Sequence, residues 1–206
     1  MSVNWFFKRN NIAITSALWC REKLVTVAKT LLLVMILVGL SAPVVAKKVR
    51  ETGEISPPVM RFVSNAQLVG SERFEYLFWD VYDAYLYAPD GQYLESEPYA
   101  LELRYLRELD GEDIAKRSLD EMQGQGLKDK QRGQDWLEQM TSIFPDVKKG
   151  DRLLGVSDQQ NVTHFFYNGE PVGKVEDEDF SRWFFGIWLS ENTSEPAFRK
   201  ALLNIK

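Results

Sequence analysis

Cysteine and histidine are almost missing from this chain: its 206 residues include one of each, Cys20 and His164. A lone cysteine excludes an internal disulfide and a Cys-based metal centre, and a lone histidine excludes a His cluster around a metal. A Ser-His-Asp arrangement would have to be centred on His164, in the strand-like run VTHFFYNG, where the simpler reading is a packed or edge-facing strand residue. Phosphate loops and dinucleotide fingerprints are absent as well. Gly124 and Gly126 follow a helix-like segment rather than a strand, so they do not cradle a phosphate. No metal and no cofactor is expected. The apolar stretch from Leu31 to Ala46, with Ser41 and Pro43 inside it, is shorter than the roughly 18 to 20 residues of a spanning helix.

What that stretch does resemble is an export signal. Lys8, Arg9, Arg21, Lys23 and Lys29 precede the unbroken run LLLVMILVGL, and small residues end it at Ala46 with Val44 two places before. A basic segment, an apolar segment and a small-residue end make a cleavable signal peptide over residues 1–46. An uncleaved anchor is the alternative. Cleavage removes five Lys/Arg and one acidic residue, so the formal charge moves from -5 to -9. So acidic a domain is a poor partner for nucleic acid or anionic headgroups, where Lys/Arg neutralisation of phosphate dominates affinity. The expectation is a periplasmic protein with no stable membrane insertion after cleavage. Residues 47–58, KKVRETGEISPP, read as a flexible lead-in, and 59–206 as one domain.

Within that domain, Val59–Val69 reads as a first strand that turns at Gly70-Ser71 into one long strand, Arg73 to Pro89. Pro89-Asp90-Gly91 is a turn, and Tyr99 to Arg107 alternates as a third strand. The period then changes to helical over 110–124, with Asp110 as N-cap, and again over 129–143, where Trp136, Leu137, Met140 and Ile143 share a face. Strands resume at 152–156 and 162–167, and Asn168-Gly169 is a hairpin turn into 172–175. Helices over 177–189 and 194–203 finish the chain, the first with a stripe of Phe180, Trp183, Phe184, Ile187 and Trp188 suited to packing on a sheet. Strand runs interrupted by helix runs define an α+β fold, an antiparallel sheet covered on one face by helices.

The stretch RFEYLFWDVYDAYLYAP, from Arg73 to Pro89, concentrates the candidate site residues. Read as one strand, it puts Asp80 and Asp83 on opposite faces, both among apolar neighbours, where a carboxylate needs a partner or a wet cavity. Arg73, Tyr76, Asp80, Tyr82, Asp83, Tyr85, Arg104 and Tyr105 form a constellation of guanidinium and phenol groups that would hold a carboxylate or phenolate at the end of an apolar slot. The competing reading is a buried ion pair, for example Asp80 or Asp83 with Arg104, that only satisfies the sheet.

Six segments, taken in order, resemble the bacterial chalcone isomerase-like proteins: VGSERFEYLFWDVYDAYLYAPDG, ALELRYLRELDGEDIA, EMQGQG, IFPDVKKGDRL, FFYNGEPVGKVEDEDFSRWFFGIWL and TSEPAFRKALL. The resemblance implies an open-faced β-sandwich with a ligand cleft between the sheet and its helices. It puts Arg73 where the family has a ligand-holding arginine, Asp80 near a threonine, Ile114 at a tyrosine, Glu121 near an asparagine and Ser194 near a Ser/Thr before a proline. Most of the polar set needed to close a chalcone is therefore replaced, and no residue is assigned a catalytic role. The resemblance implies a non-catalytic binding protein for a small amphipathic ligand such as a fatty acid or aromatic acid. The ligand-binding candidates are Arg73, Tyr76, Asp80, Tyr82, Tyr105 and Ser194. An isomerase or lyase and a structural envelope protein are the alternatives.

Overall fold

The computed structural model describes residues 55–205. The signal segment 1–46, Cys20 and the lead-in up to residue 54 lie outside the described residues. The sheet has six strands in strict chain order, every neighbouring pair antiparallel. They are β1 (Ala66–Tyr76), β2 (Trp79–Pro89), β3 (Tyr99–Tyr105), β4 (Arg152–Ser157), β5 (Thr163–Tyr167) and β6 (Glu170–Val175). Two helices, α2 (Gly111–Gly124) and α3 (Lys130–Ile143), separate β3 from β4, while α4 (Glu178–Leu189) and α5 (Pro196–Leu202) follow the sheet. The α+β architecture is as expected.

The helical layer is held to the sheet by aromatic burial. Phe180, Phe184 and Phe185 of α4 are buried with Leu101, Leu103, Leu153 and Phe165 of the sheet. The Phe184 ring stacks on Phe180 at 5.3 Å and meets Phe165 edge-on at 5.2 Å. Each such side chain contributes ~1.5–3 kcal/mol by leaving water, so the 177–189 stripe is core, as its spacing predicts. Two caps fix this layer. Asp177 accepts from the Asp179 amide and from Trp136 Nε1 at 3.0 Å, joining α4 to α3. Asp129 accepts from the Arg132 amide. Asp110 makes no side-chain cap; the Gly111 amide instead donates to Asp146 Oδ1 at 2.9 Å, from the far side of α3.

The N-terminal part departs from its sequence reading in three ways. Residues 57–62 form a short helix, α1 (Pro57–Phe62), because Pro57-Pro58 occupies the first helical positions, where no amide hydrogen is needed. It packs Val59 and Val63 on the opposite face of the sheet, against Tyr87, Leu154 and Phe166, so the strand expected over 59–69 begins only at Ala66 and the Pro pair belongs to the fold. Gly70 is not a turn but lies inside β1. A Cβ there would stand 2.4 Å from the carbonyl oxygens of Ala201 and Leu202, so only glycine lets α5 come this close.

The long strand is two strands. Tyr76 pairs with Trp79, and Leu77-Phe78 is the hairpin turn, with Leu77 held at φ 57. No glycine, proline or asparagine marks it, which is why the run reads as continuous. Val81 has no opposite residue, since Phe74 pairs with Tyr82 and Glu75 with Asp80. This β-bulge shifts the alternation by one, and it brings Asp80 and Asp83 to one side instead of two.

Candidate functional site

The bulge puts Asp80 on the same face as Arg73 and Asp83. Phe74 and Tyr82 belong to the helix-covered core, so their neighbours Arg73 and Asp83, opposite one another in β1 and β2, face the other way. Arg73 is gripped there in a fork. Its Nε donates to Asp83 Oδ1 at 2.7 Å, its Nη2 to Asp83 Oδ2 at 2.9 Å and its Nη1 to Asp80 Oδ2 at 2.8 Å. The group is half in solvent: the side chains of Arg73 and Asp80 are 43% and 47% exposed. Asp80 and Asp83 are ion-paired, but half in solvent rather than buried, and with Arg73 rather than Arg104 as cation. Arg104 instead bonds Glu102 at 2.7 Å.

Under the helices, Tyr82 is the centre of a second group. Its ring stacks on Phe74 at 5.1 Å and meets Tyr105 and Phe198 edge-on at 6.0 and 6.3 Å. Trp188 Nε1 of α4 donates to its hydroxyl oxygen at 3.0 Å. Burial pushes the Tyr82 phenol well up from its ordinary value, and the nearby charges of Glu121 and Glu195 add to the effect while Arg117 opposes it. Those charges form the rim: Ser194 Oγ donates to Glu121 Oε2 at 2.9 Å, and Arg117 pairs with Glu121 one helical turn away. Tyr105 is buried and its phenol is likewise pushed up by loss of water. The arrangement is an aromatic slot, filled by its own rings, with a hydroxyl, an indole donor and an ion pair at one end.

Of the six sequence candidates, then, Tyr82 and Tyr105 meet in the slot and Ser194 reaches its rim. Arg73 and Asp80 are together on the opposite face, and Tyr76 lies beside the hairpin turn. Ile114 packs against the core, and Glu121 stands at the rim. Sequence reasoning missed Trp188 and Arg117. Trp188 was hidden in a core stripe, and its polar edge is its only mark. Arg117 had the i, i+4 relation to Glu121 as a signal. His164 is a strand residue as expected, its Nε2 2.8 Å from Asp158 Oδ2 and its ring 4.5 Å from that of Phe62. Among the described residues no group of His, Cys, Asp and Glu is placed to hold a metal.

A six-stranded antiparallel meander with helices laid over one face, and an aromatic slot between the layers, defines an open-faced β-sandwich. The chain belongs to the chalcone isomerase-like family, whose model matches residues 65–204. Among solved structures it is similar to a fatty-acid binding protein of Arabidopsis thaliana, at a TM-score of 0.55 and 14% identity, over 68% of this chain and 88% of that one. No curated protein matches it.

Proposed function

We propose that this protein is exported to the periplasm and serves there as a non-catalytic binding protein for a small amphipathic molecule, a fatty acid or an aromatic acid. The observation that carries this reading is the slot at Tyr82: apolar rings inside, donors and an exchangeable ion pair at the rim. An amphipathic acid would part the Phe74, Tyr82 and Phe198 rings with its apolar portion and take the place of Glu121 as the partner of Arg117. Glu121 is the partner that such an acid would displace from Arg117. Family membership and the likeness to an Arabidopsis thaliana fatty-acid binding protein support this reading.

Two features weigh against catalysis. The arginine expected beside a developing phenolate is occupied on the other face by two carboxylates, and a cyclisation needs preorganised positive charge at the reacting oxygen. The Tyr82 phenol, driven up by burial, gives no readily ionised base. The reading is tested by native mass spectrometry of the protein from the periplasmic fraction, followed by titration with dodecanoate. A co-purifying amphiphile or saturable binding is expected, weakened about tenfold by Arg117→Gln through loss of a charge-assisted contact and unchanged by Arg73→Ala. Absence of binding, or a chalcone turned over by the wild type and not by Tyr82→Phe, would overturn it.

A further inference from the structure

The face of the sheet beneath α1 carries a cavity of about 270 Å³ that plays no part in the slot. Ile55, Ser56, Leu154, Phe166, Glu102 and Arg152 line it. Its polar groups are unusual in what they do not bond. Ser56 precedes α1 but makes no capping bond, and its hydroxyl oxygen is buried without a hydrogen-bond partner. Such a group costs ~1–3 kcal/mol unless something reaches it, and an unmodified core would replace it with an apolar residue.

The charges are unbalanced in one direction. Glu102 is 3% exposed, and its carboxylate is matched by Arg104 Nε at 2.7 Å, while that guanidinium lies 4.2 Å over the Tyr85 ring. The pair is neutral as a unit. Arg152 stands opposite Arg104 across β3 and β4, and among the described residues its side chain enters no ion pair or hydrogen bond; its amide donates to Asn168 Oδ1 and its carbonyl oxygen accepts from the Asn168 amide. Among the described residues the cavity therefore has one uncompensated cation and one orphan hydroxyl, with walls of Ile55, Leu154 and Phe166. Its volume lies just under the ~300 Å³ at which ligand pockets begin, too small for a long acyl chain.

We propose that this cavity is a binding site for a small carboxylate, aromatic or short-chain, whose oxygens pair with the Arg152 guanidinium and the Ser56 hydroxyl while its apolar part rests on Leu154 and Phe166. A guanidinium takes a carboxylate through two parallel bonds, and a hydroxyl can turn to donate to the same oxygens. The sheet separates this site from the Tyr82 slot, so it stands or falls independently of the function proposed above.

Benzoate titrated into the full chain, followed by amide NMR, tests it. Saturable shifts at Asn168 and Gly169 beside the cavity are expected, with benzamide binding at least about tenfold more weakly because it lacks the charge. Arg152→Gln should weaken benzoate about tenfold or more and Ser56→Ala a few-fold. Arg152 is exposed, so its variant should keep the wild-type melting temperature; if it does not, Arg152→Lys, which keeps the charge but not the fork, should bind with intermediate affinity. Shifts that do not saturate, equal binding of benzamide, or benzoate affinity indifferent to both Arg152 and Ser56 would each overturn the proposal, as would a benzoate-soaked crystal with water alone in the cavity.

Discussion

Raising the pH should unfold this protein through its tyrosines. All eight lie in the described domain, and burial pushes five of their phenols up: Tyr87 and Tyr99 to about 12, and Tyr82, Tyr93 and Tyr105 further. In the unfolded chain a phenol loses its proton near ~10. Above that pH the unfolded state binds fewer protons than the folded one, so stability is complete below about 10 and falls as pH rises towards the folded values. Each such phenol removes ~1.4 kcal/mol per pH unit within that window. Tyr87, Tyr99 and Tyr105 are 2, 3 and 2% exposed, and these three alone would cost ~4 kcal/mol at about pH 11, against a typical total of ~5–15 kcal/mol. The assay is an alkaline titration with phenolate absorbance and far-ultraviolet circular dichroism recorded together. The buried phenols should ionise in one cooperative step that coincides with loss of structure, near pH ~11. Eight phenols titrating smoothly near pH ~10 with the dichroism unchanged would mean that water reaches them all, and the closed slot at Tyr82 would be refuted.

Three substitutions probe the frame. Gly70→Ala forces a methyl against two carbonyl oxygens of α5 and should cost ~1–3 kcal/mol, seen as a melting point lower by ~2–4 °C for each kcal/mol; an unchanged melt would mean that α5 is not held this closely. Arg73→Ala removes half-exposed ion pairs and should cost no more than ~1 kcal/mol in urea unfolding, whereas a loss several times larger would place Arg73 in the core. Leu77→Gly relieves a left-handed backbone at an exposed turn and should leave stability unchanged or raise it by up to ~1 kcal/mol; a clear loss in the same assay would show that the leucine side chain is engaged there.

Much of the architecture could be read from the amino acids because its signals are local. Asn168-Gly169 announces the β5–β6 hairpin, and the α4 stripe announces its buried face. The missed features depend on partners distant in the chain. Leu77-Phe78 turns without any turn residue, held by the pairing of β1 with β2. A single unpaired Val81 then moves Asp80 from the face of Tyr82 to that of Arg73 and Asp83. The site was legible in part. Tyr82 and Tyr105 come from alternation after the bulge, where parity is preserved, while Ser194 and Glu121 are 73 residues apart and only the fold brings them within a hydrogen bond. Trp188 offered nothing to distinguish a core indole from one whose nitrogen faces a phenol.

The close seating of α5 on Gly70 also sets an order of events during synthesis. β1 is among the first parts of the domain to be made and α5 the last, yet α5 covers β1, with Phe198 against Phe74 at 5.9 Å. Until the chain has grown past Leu202, Gly70 and Phe74 lack the cover that α5 gives them, although α4 already reaches Tyr82 through Trp188. A chain that stops before Pro196 therefore carries an open apolar edge, and the domain reaches its finished form only when its two ends have met.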